Sequence, residues 1–202
     1  TEDFSRETLL KHFDTTSLKG FGVEDIENGN IAAGAALHYL AETHHDQVGH
    51  ICKLSRIEEE KYVWLDKFTI RNLELLYSPN ENAATLMDVI DQTISPMGSR
   101  IIRKWISLPL KIKKTIEERH TVVEYLIGNP EITEILTQNI KAIGDLERLI
   151  SKVAVGRVSP RELIQVMKGL YAVEKIKESC AISESGPLKT IADQLNPCQL
   201  IR

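Results

Sequence analysis

The sequence predicts a mainly α fold, a helical bundle preceded by a small α/β segment and a short β-hairpin. Three features carry this expectation. Beyond the polar stretch Pro79 to Asn82, apolar residues recur three and four apart almost to the end of the chain, the period of helices that bury one side. Helix starts are marked by Ser95-Pro96, Asn129-Pro130 and Ser159-Pro160, because proline at the first helical position forfeits no hydrogen bond and its fixed φ suits the helix. Stops follow at Pro109, Gly128 and Gly144, residues that cannot continue a helix or that close one readily.

Residues Thr8 to Phe13 read as a short helical segment, and Ser17 to Gly22 as a turn in which Gly20 and Gly22 supply unusual backbone angles. Small residues dominate Ile31 to Ala41, so the helix expected there can approach a neighbour closely, with Leu37 and Leu40 on its buried side. Ile51 to Ile57 and Lys61 to Leu65 hold branched and aromatic residues on either side of the acidic run Glu58 to Glu60, the pattern of a hairpin. A third extended piece is expected at Arg71 to Leu75.

Helices then follow one another. Thr85 to Thr93 is the first. Ser95 caps a helix from Pro96 to Leu108, with Ile101, Ile102, Trp105 and Ile106 on one side and Arg100, Arg103, Lys104 and Ser107 on the other. Lys113 to Ile127 forms the next, and Pro130 opens another that ends at Gly144. Asp145 caps a further helix striped by Leu146, Leu149, Ile150 and Val153. Ser159, Pro160 and Glu162 make a capping box ahead of Leu163, Val166, Met167 and Leu170.

A chain of 202 residues that is 42% hydrophobic and 27% charged can bury one sizeable core, or one domain and part of another. No apolar run reaches bilayer length and no secretion signal is evident, so a cytoplasmic location is expected and no membrane partner. Three cysteines without C-x-x-C spacing suggest reduced thiols rather than a disulfide framework or zinc ribbon. A net charge of -4 argues against a chain devoted to gripping phosphates. The start at Thr1 and the apolar tail Gln199 to Arg202 suggest a fragment of a longer protein.

Candidate chemistry is sparse. Gly29 to Gly34 has the glycine spacing of a phosphate-binding loop, but Ala35 and Ala36 replace the Lys and Ser/Thr that would reach phosphate and magnesium. Gly20 and Gly22 lack the third glycine of a dinucleotide fingerprint, where Asp25 stands. His38, His44, His45, His50 and Cys52 lie close in sequence without ligand spacing, so no metal site is expected. Asp88 and Asp91 have helical spacing but no nucleophile or ordered base beside them, and Asp88 suits a helix start. No catalytic or cofactor-binding residue is therefore assigned. Arg100, Arg103, Lys104, Lys111, Lys113 and Lys114 form a basic run that reads as a solvated face, a docking surface or a row of DNA phosphate contacts.

Four segments in sequence order carry a resemblance to the MutS family of DNA mismatch-repair ATPases: Leu18 to Gly22 with Ala32 to Leu40, Leu65 to Leu75, Thr93 to Leu110, and Gly144 to Arg148. The resemblance implies that residues 1–50 are the C-terminal part of a connector domain and 51–202 the N-terminal part of the lever, or core, domain. It also implies that Asp66, Arg71, Asn72, Gly98, Ser99, Arg100, Asp145 and Arg148 occupy motif positions as architectural residues. No Phe-x-Glu element occurs in the chain. The parent implied by the resemblance is a bacterial, nucleoid-associated protein that binds ATP and magnesium, recognises mismatched duplex DNA, dimerises and engages a MutL-like partner. The fragment itself is expected to be monomeric, without catalysis or cofactor, and to act as a structural lever. Two other readings are a paralogue acting in recombination and an independent helical nucleic-acid adaptor; a small hydrolase built on Asp88 and Asp91 is a third.

Overall fold

A computed structural model describes residues 2–43, 48–80 and 83–198. The α-helices are α1 (Glu2–His12), α2 (Glu27–Glu42), α3 (Lys67–Asn72), α4 (Leu86–Ile90), α5 (Pro96–Ser107), α6 (Lys113–Gly128), α7 (Pro130–Ile143), α8 (Leu146–Ala154), α9 (Pro160–Ala181) and α10 (Gly186–Gln194). The chain divides into two compact units, Thr1–Ile57 with Ile150–Val158, and Glu58–Leu149 with Ser159–Arg202.

In the first unit α1 packs on α2. The helix starts earlier than its apolar residues suggest, because Glu2 and Asp3 sit in the first turn, where carboxylates favourably meet the helix dipole. Leu9, Leu18, Val23 and Leu37 form the core. Gly34 explains the spacing that resembled a phosphate loop: a Cβ there would lie 2.6 Å from the Cα of Ser5, so the missing side chain serves close helix contact. Glu24 ties the following turn to α1, accepting from Arg6 Nη2 at 2.6 Å and from the Leu18 amide at 2.9 Å. Gly22 takes φ +67° at the end of that turn, a left-handed angle that glycine adopts without strain.

The expected hairpin does not form. Among the described residues there is no strand; Tyr62 makes an isolated antiparallel bridge with Leu110 instead. Two causes are visible. Ile51 and Leu54 are spaced three apart and pack against the first unit's core, whereas a strand would need alternation. Glu59–Lys61 closes as a 3-10 turn, and the second expected arm then pairs with the chain after α5, the Val63 amide donating to Pro109 O at 2.8 Å and that of Lys111 to Lys61 O at 3.0 Å. The extended piece expected at Arg71 to Leu75 is also corrected. Asp66 accepts from the Thr69 amide at 2.6 Å and caps α3, so Arg71 and Asn72 end a helix.

In the second unit α9 packs against α7 and α10, and α6 against α7 and α10. Leu136, Ile143, Ala172, Ile176, Cys180, Leu188 and Ala192 make its core, with Met97 of α5 against it. Local signals agree with these long-range contacts. Both parts of the capping box are present at Thr85 with Asp88 and at Ser159 with Glu162, and Ser95 accepts from the Gly98 amide at 3.1 Å. Gly169 lets α9 close on the corner between α7 and α8: a Cβ would sit 3.3 Å from Ile143 O and 3.6 Å from Leu146 Cδ1.

Gly34→Ala should destabilise the protein by about 1–3 kcal/mol, the cost of overpacking against backbone that cannot swing aside. Gly20→Ala, where a Cβ meets nothing within 4 Å, should stay within about 0.5 kcal/mol. Urea unfolding of both variants beside the parent sequence checks the contrast.

Candidate functional site at Arg100, Asp145 and Glu147

Two segments 45 residues apart in the chain meet through one guanidinium. Arg100 lies in the second turn of α5, whose start is fixed by Ser95 and Pro96. Its Nη2 donates to Asp145 Oδ1 at 2.6 Å and to Glu147 Oε2 at 2.7 Å, while Nη1 reaches Asp145 Oδ2 at 3.1 Å and Nε reaches Glu147 Oε2 at 3.0 Å. The planar fork of arginine suits this double grip, which a lysine point charge would not reproduce.

Asp145 has a second task. Gly144, at φ +65°, turns the chain out of α7, and Asp145 Oδ1 then accepts from the Arg148 amide at 3.3 Å, satisfying an amide in the first turn of α8. The same carboxylate therefore caps one helix and holds the side of another. Asp145 is 21% exposed, against 48% for Arg100 and 68% for Glu147, making it the best shielded member. The Arg100 hydrogen bonds hold the Asp145 carboxyl below the usual carboxylate range, with the Arg148 amide adding to this and partial burial opposing it. The Asp145 and Glu147 carboxylates in turn raise the pKa of Arg100.

The other motif positions are structural contacts. A Cβ on Gly98 would come within 3.2 Å of the Thr93 side chain. Ser99 Oγ donates to Asp91 Oδ2 at 2.6 Å, and Asp91 Oδ1 also receives the amide and hydroxyl of Thr93. Asp66 caps α3; the side chains of Arg71, Asn72 and Arg148 are exposed. Asp88 and Asp91, weighed as an acid–base pair, are both held below the ordinary carboxylate range: Asp88 chiefly by the Thr85 amide, Asp91 chiefly by the Ser99 hydroxyl. Groups so held stay ionised at neutral pH, the opposite of what a general acid needs.

Members of the basic run differ in what they contact. Arg100 is engaged by Asp145 and Glu147, the charge of Arg103 acts on Asp88 and Asp91, and Lys113 Nζ lies 3.3 Å from Glu117. Lys104, Lys111 and Lys114 are exposed. His38 pairs with Glu42 at 3.3 Å and meets the Phe4 ring edge-on, whereas His44 and His45 lie outside the described residues. No group of three or more His, Cys, Asp or Glu among the described residues could hold a metal ion. No helix among them is long and apolar enough to cross a membrane.

Sequence reasoning missed the partnership of Arg100 with Asp145 and Glu147, although both segments stood out. The available signal was an arginine on the polar side of one capped helix and two acids opening another. It also missed Arg119, whose guanidinium lies 3.7 Å over the Trp105 ring.

The family description MutS domain III matches residues 68–202. A DNA mismatch repair protein MutS from Phocaeicola vulgatus is 54% identical over 201 residues, covering 100% of this chain and 23% of that protein. Proteins of the same name from Bacteroides fragilis and Flavobacterium johnsoniae are 55% and 54% identical, again over 100% of this chain and 23% of theirs. The chain thus spans about a quarter of the length of these curated relatives.

Because the folded Asp145 carboxyl titrates below its unfolded value, the stability it contributes is present above about pH 4 and is lost as pH falls through the lower folded value. Arg100→Gln should therefore be less stable than the parent sequence at pH 7, with the difference shrinking on acidification below that range. Urea unfolding from pH 7 to pH 2.5 reads this directly; a difference constant with pH would contradict it.

Proposed function

Since the chain belongs to the MutS family through its domain III, we propose that it is the lever segment of a DNA mismatch-repair ATPase, joining a mismatch-binding part to an ATP-hydrolysing part without catalysis of its own. The observation that carries this reading is the Arg100 contact, which fixes the beginning of α8 to α5 by four charge-assisted hydrogen bonds. Coupling between distant sites requires packed elements with discrete arrangements rather than compliant ones. A helix start whose cap and lateral anchor share one carboxylate has that character: losing the anchor also disturbs the cap.

On this reading residues 1–50 are the end of the connector and residues 51–202 the first part of the lever. Mismatched duplex DNA, ATP with magnesium, a second copy of the parent and a MutL-like protein are engaged by the parent, with nucleotide held outside this segment. The Lys and Ser/Thr that a phosphate loop needs are absent after Gly34, and the carboxylates first considered for acid–base work are committed to caps and turns. A bacterial cytoplasmic location accompanies the proposal. The mismatch-repair reading is favoured over a recombination paralogue by relatives at 54% identity that carry the repair name over the whole of this chain.

The test uses the full-length parent carrying Arg100→Gln. Mismatch binding and basal ATP turnover should be retained, while the change in ATP turnover caused by mismatched DNA should fall about threefold or more, within the range by which such positions alter coupling. Unchanged coupling in a folded variant would sink the relay role. The separate 202-residue chain should fold yet neither hydrolyse ATP nor prefer mismatched over matched duplex.

A further inference from the structure

Asn28 is the one asparagine of the chain that is followed by glycine. Both residues of the pair are exposed, in the first turn of α2. That turn is open at its amide end. Ile26 precedes α2 without a side-chain cap, the first bond into the helix runs from the Asn30 amide to Ile26 O at 2.8 Å, and the Gly29 amide has no acceptor among the described residues. Packing requires the glycine: a Cβ at residue 29 would lie 2.6 Å from Ile26 Cγ2, part of a branched side chain with restricted rotamers that packs on the first unit's core. The following turn is firmer. Asn30 is buried, and its Nδ2 donates to Val23 O at 2.9 Å.

A backbone nitrogen free of hydrogen bonds and unshielded by a Cβ can reach the carboxamide carbon of the residue before it. We infer that Asn28-Gly29 is a site of spontaneous covalent modification, at which Asn28 loses its side-chain amide through a cyclic imide. The Gly29 nitrogen gives its proton to hydroxide and attacks Asn28 Cγ; the new N–C bond closes a succinimide ring, the Cγ–Nδ2 bond breaks, and the nitrogen leaves as ammonia. Water then opens the ring at either carbonyl, leaving aspartate or, with the chain running through Cγ, isoaspartate. Nothing is oxidised or reduced. Reaching Cγ requires the Asn28 Cα–C bond to rotate away from its helical angle, and an uncapped first turn opens at little free-energy cost. Glycine eases this further, because its backbone takes angles closed to other residues. Asn30 contrasts in each respect: its carboxamide is engaged, and the branched Ile31 crowds the nitrogen that would attack. The aspartate product places a charge beside Glu27 in the first turn, where the helix dipole favours it, whereas isoaspartate adds a carbon to the backbone and shifts Gly29 against Ile26.

The test is peptide mass mapping of the folded full-length parent, incubated at neutral and at mildly alkaline pH for the time in which the urea-unfolded parent converts half of its Asn28. Asn28 of the folded parent should gain about 1 Da, the change from N–H2 to O–H, and should do so several-fold more than Asn30 on the same tryptic peptide. Conversion should be faster at the alkaline pH, and a methyltransferase specific for isoaspartate should label the same position. Asn28→Gln, which would have to close a larger ring, should keep its mass there and lose the label, with circular dichroism verifying that the variant is folded. An intact Asn28 in the folded parent overturns the inference, since α2 then holds its first turn closed. Equal conversion of Asn30, or labelling that persists at this peptide in folded Asn28→Gln, overturns it too.

Discussion

At Gly169 the long helix α9 closely approaches the α7–α8 corner, the turn from which Asp145 and Glu147 emerge. The Ile143 carbonyl and the Leu146 side chain are the neighbours a Cβ would meet. Ala172 and Ile176 continue the same line of α9 into the core with Leu136 and Ile143. Apolar burial is non-directional, so by itself it would hold α9 and α7 together without fixing the corner beyond them. The absent side chain at residue 169 supplies the fit. Gly144 then turns the chain, and Asp145 and Glu147 emerge where Arg100 can grip both.

Exposed ion pairs usually contribute little, because water screens them and ordering two long side chains is costly. This one differs in geometry. One guanidinium meets two carboxylates, and the more shielded carboxylate is already oriented by the Arg148 amide, so less freedom remains to be lost when Arg100 arrives. Packing against α9 meets the corner at Gly169, and the charge contact ties the first turn of α8 to α5. The corner therefore combines a closely packed element with an exposed charge contact.

Local chemistry was legible wherever the chain writes its own boundary. The helix from Pro96 ends as Pro109 demands, the Ser159–Glu162 capping box forms, and the small residues around Gly34 do let α2 approach α1 closely. Legibility failed where a segment's partner lies far away in sequence. Tyr62 chose Leu110 over its neighbours, and Ile51 with Leu54 joined the first unit's core. The apolar stripe of α5 was right in period but not uniform in burial: Ile102 and Ile106 are half-buried, whereas Ile101 and Trp105 are exposed. Arg100 looked like one cation in a basic run because composition cannot show that its anions sit 45 residues on.

Arg100 holds the first turn of α8 through Asp145. Hydrogen exchange at the Arg148 and Leu149 amides, which bond to the Asp145 side chain and carbonyl respectively, tests this most directly. In Arg100→Gln these two amides should exchange faster while those in the interior of α9 around Ile176 keep their protection. Unchanged exchange at Arg148 and Leu149, or an equal loss across α9, would contradict it.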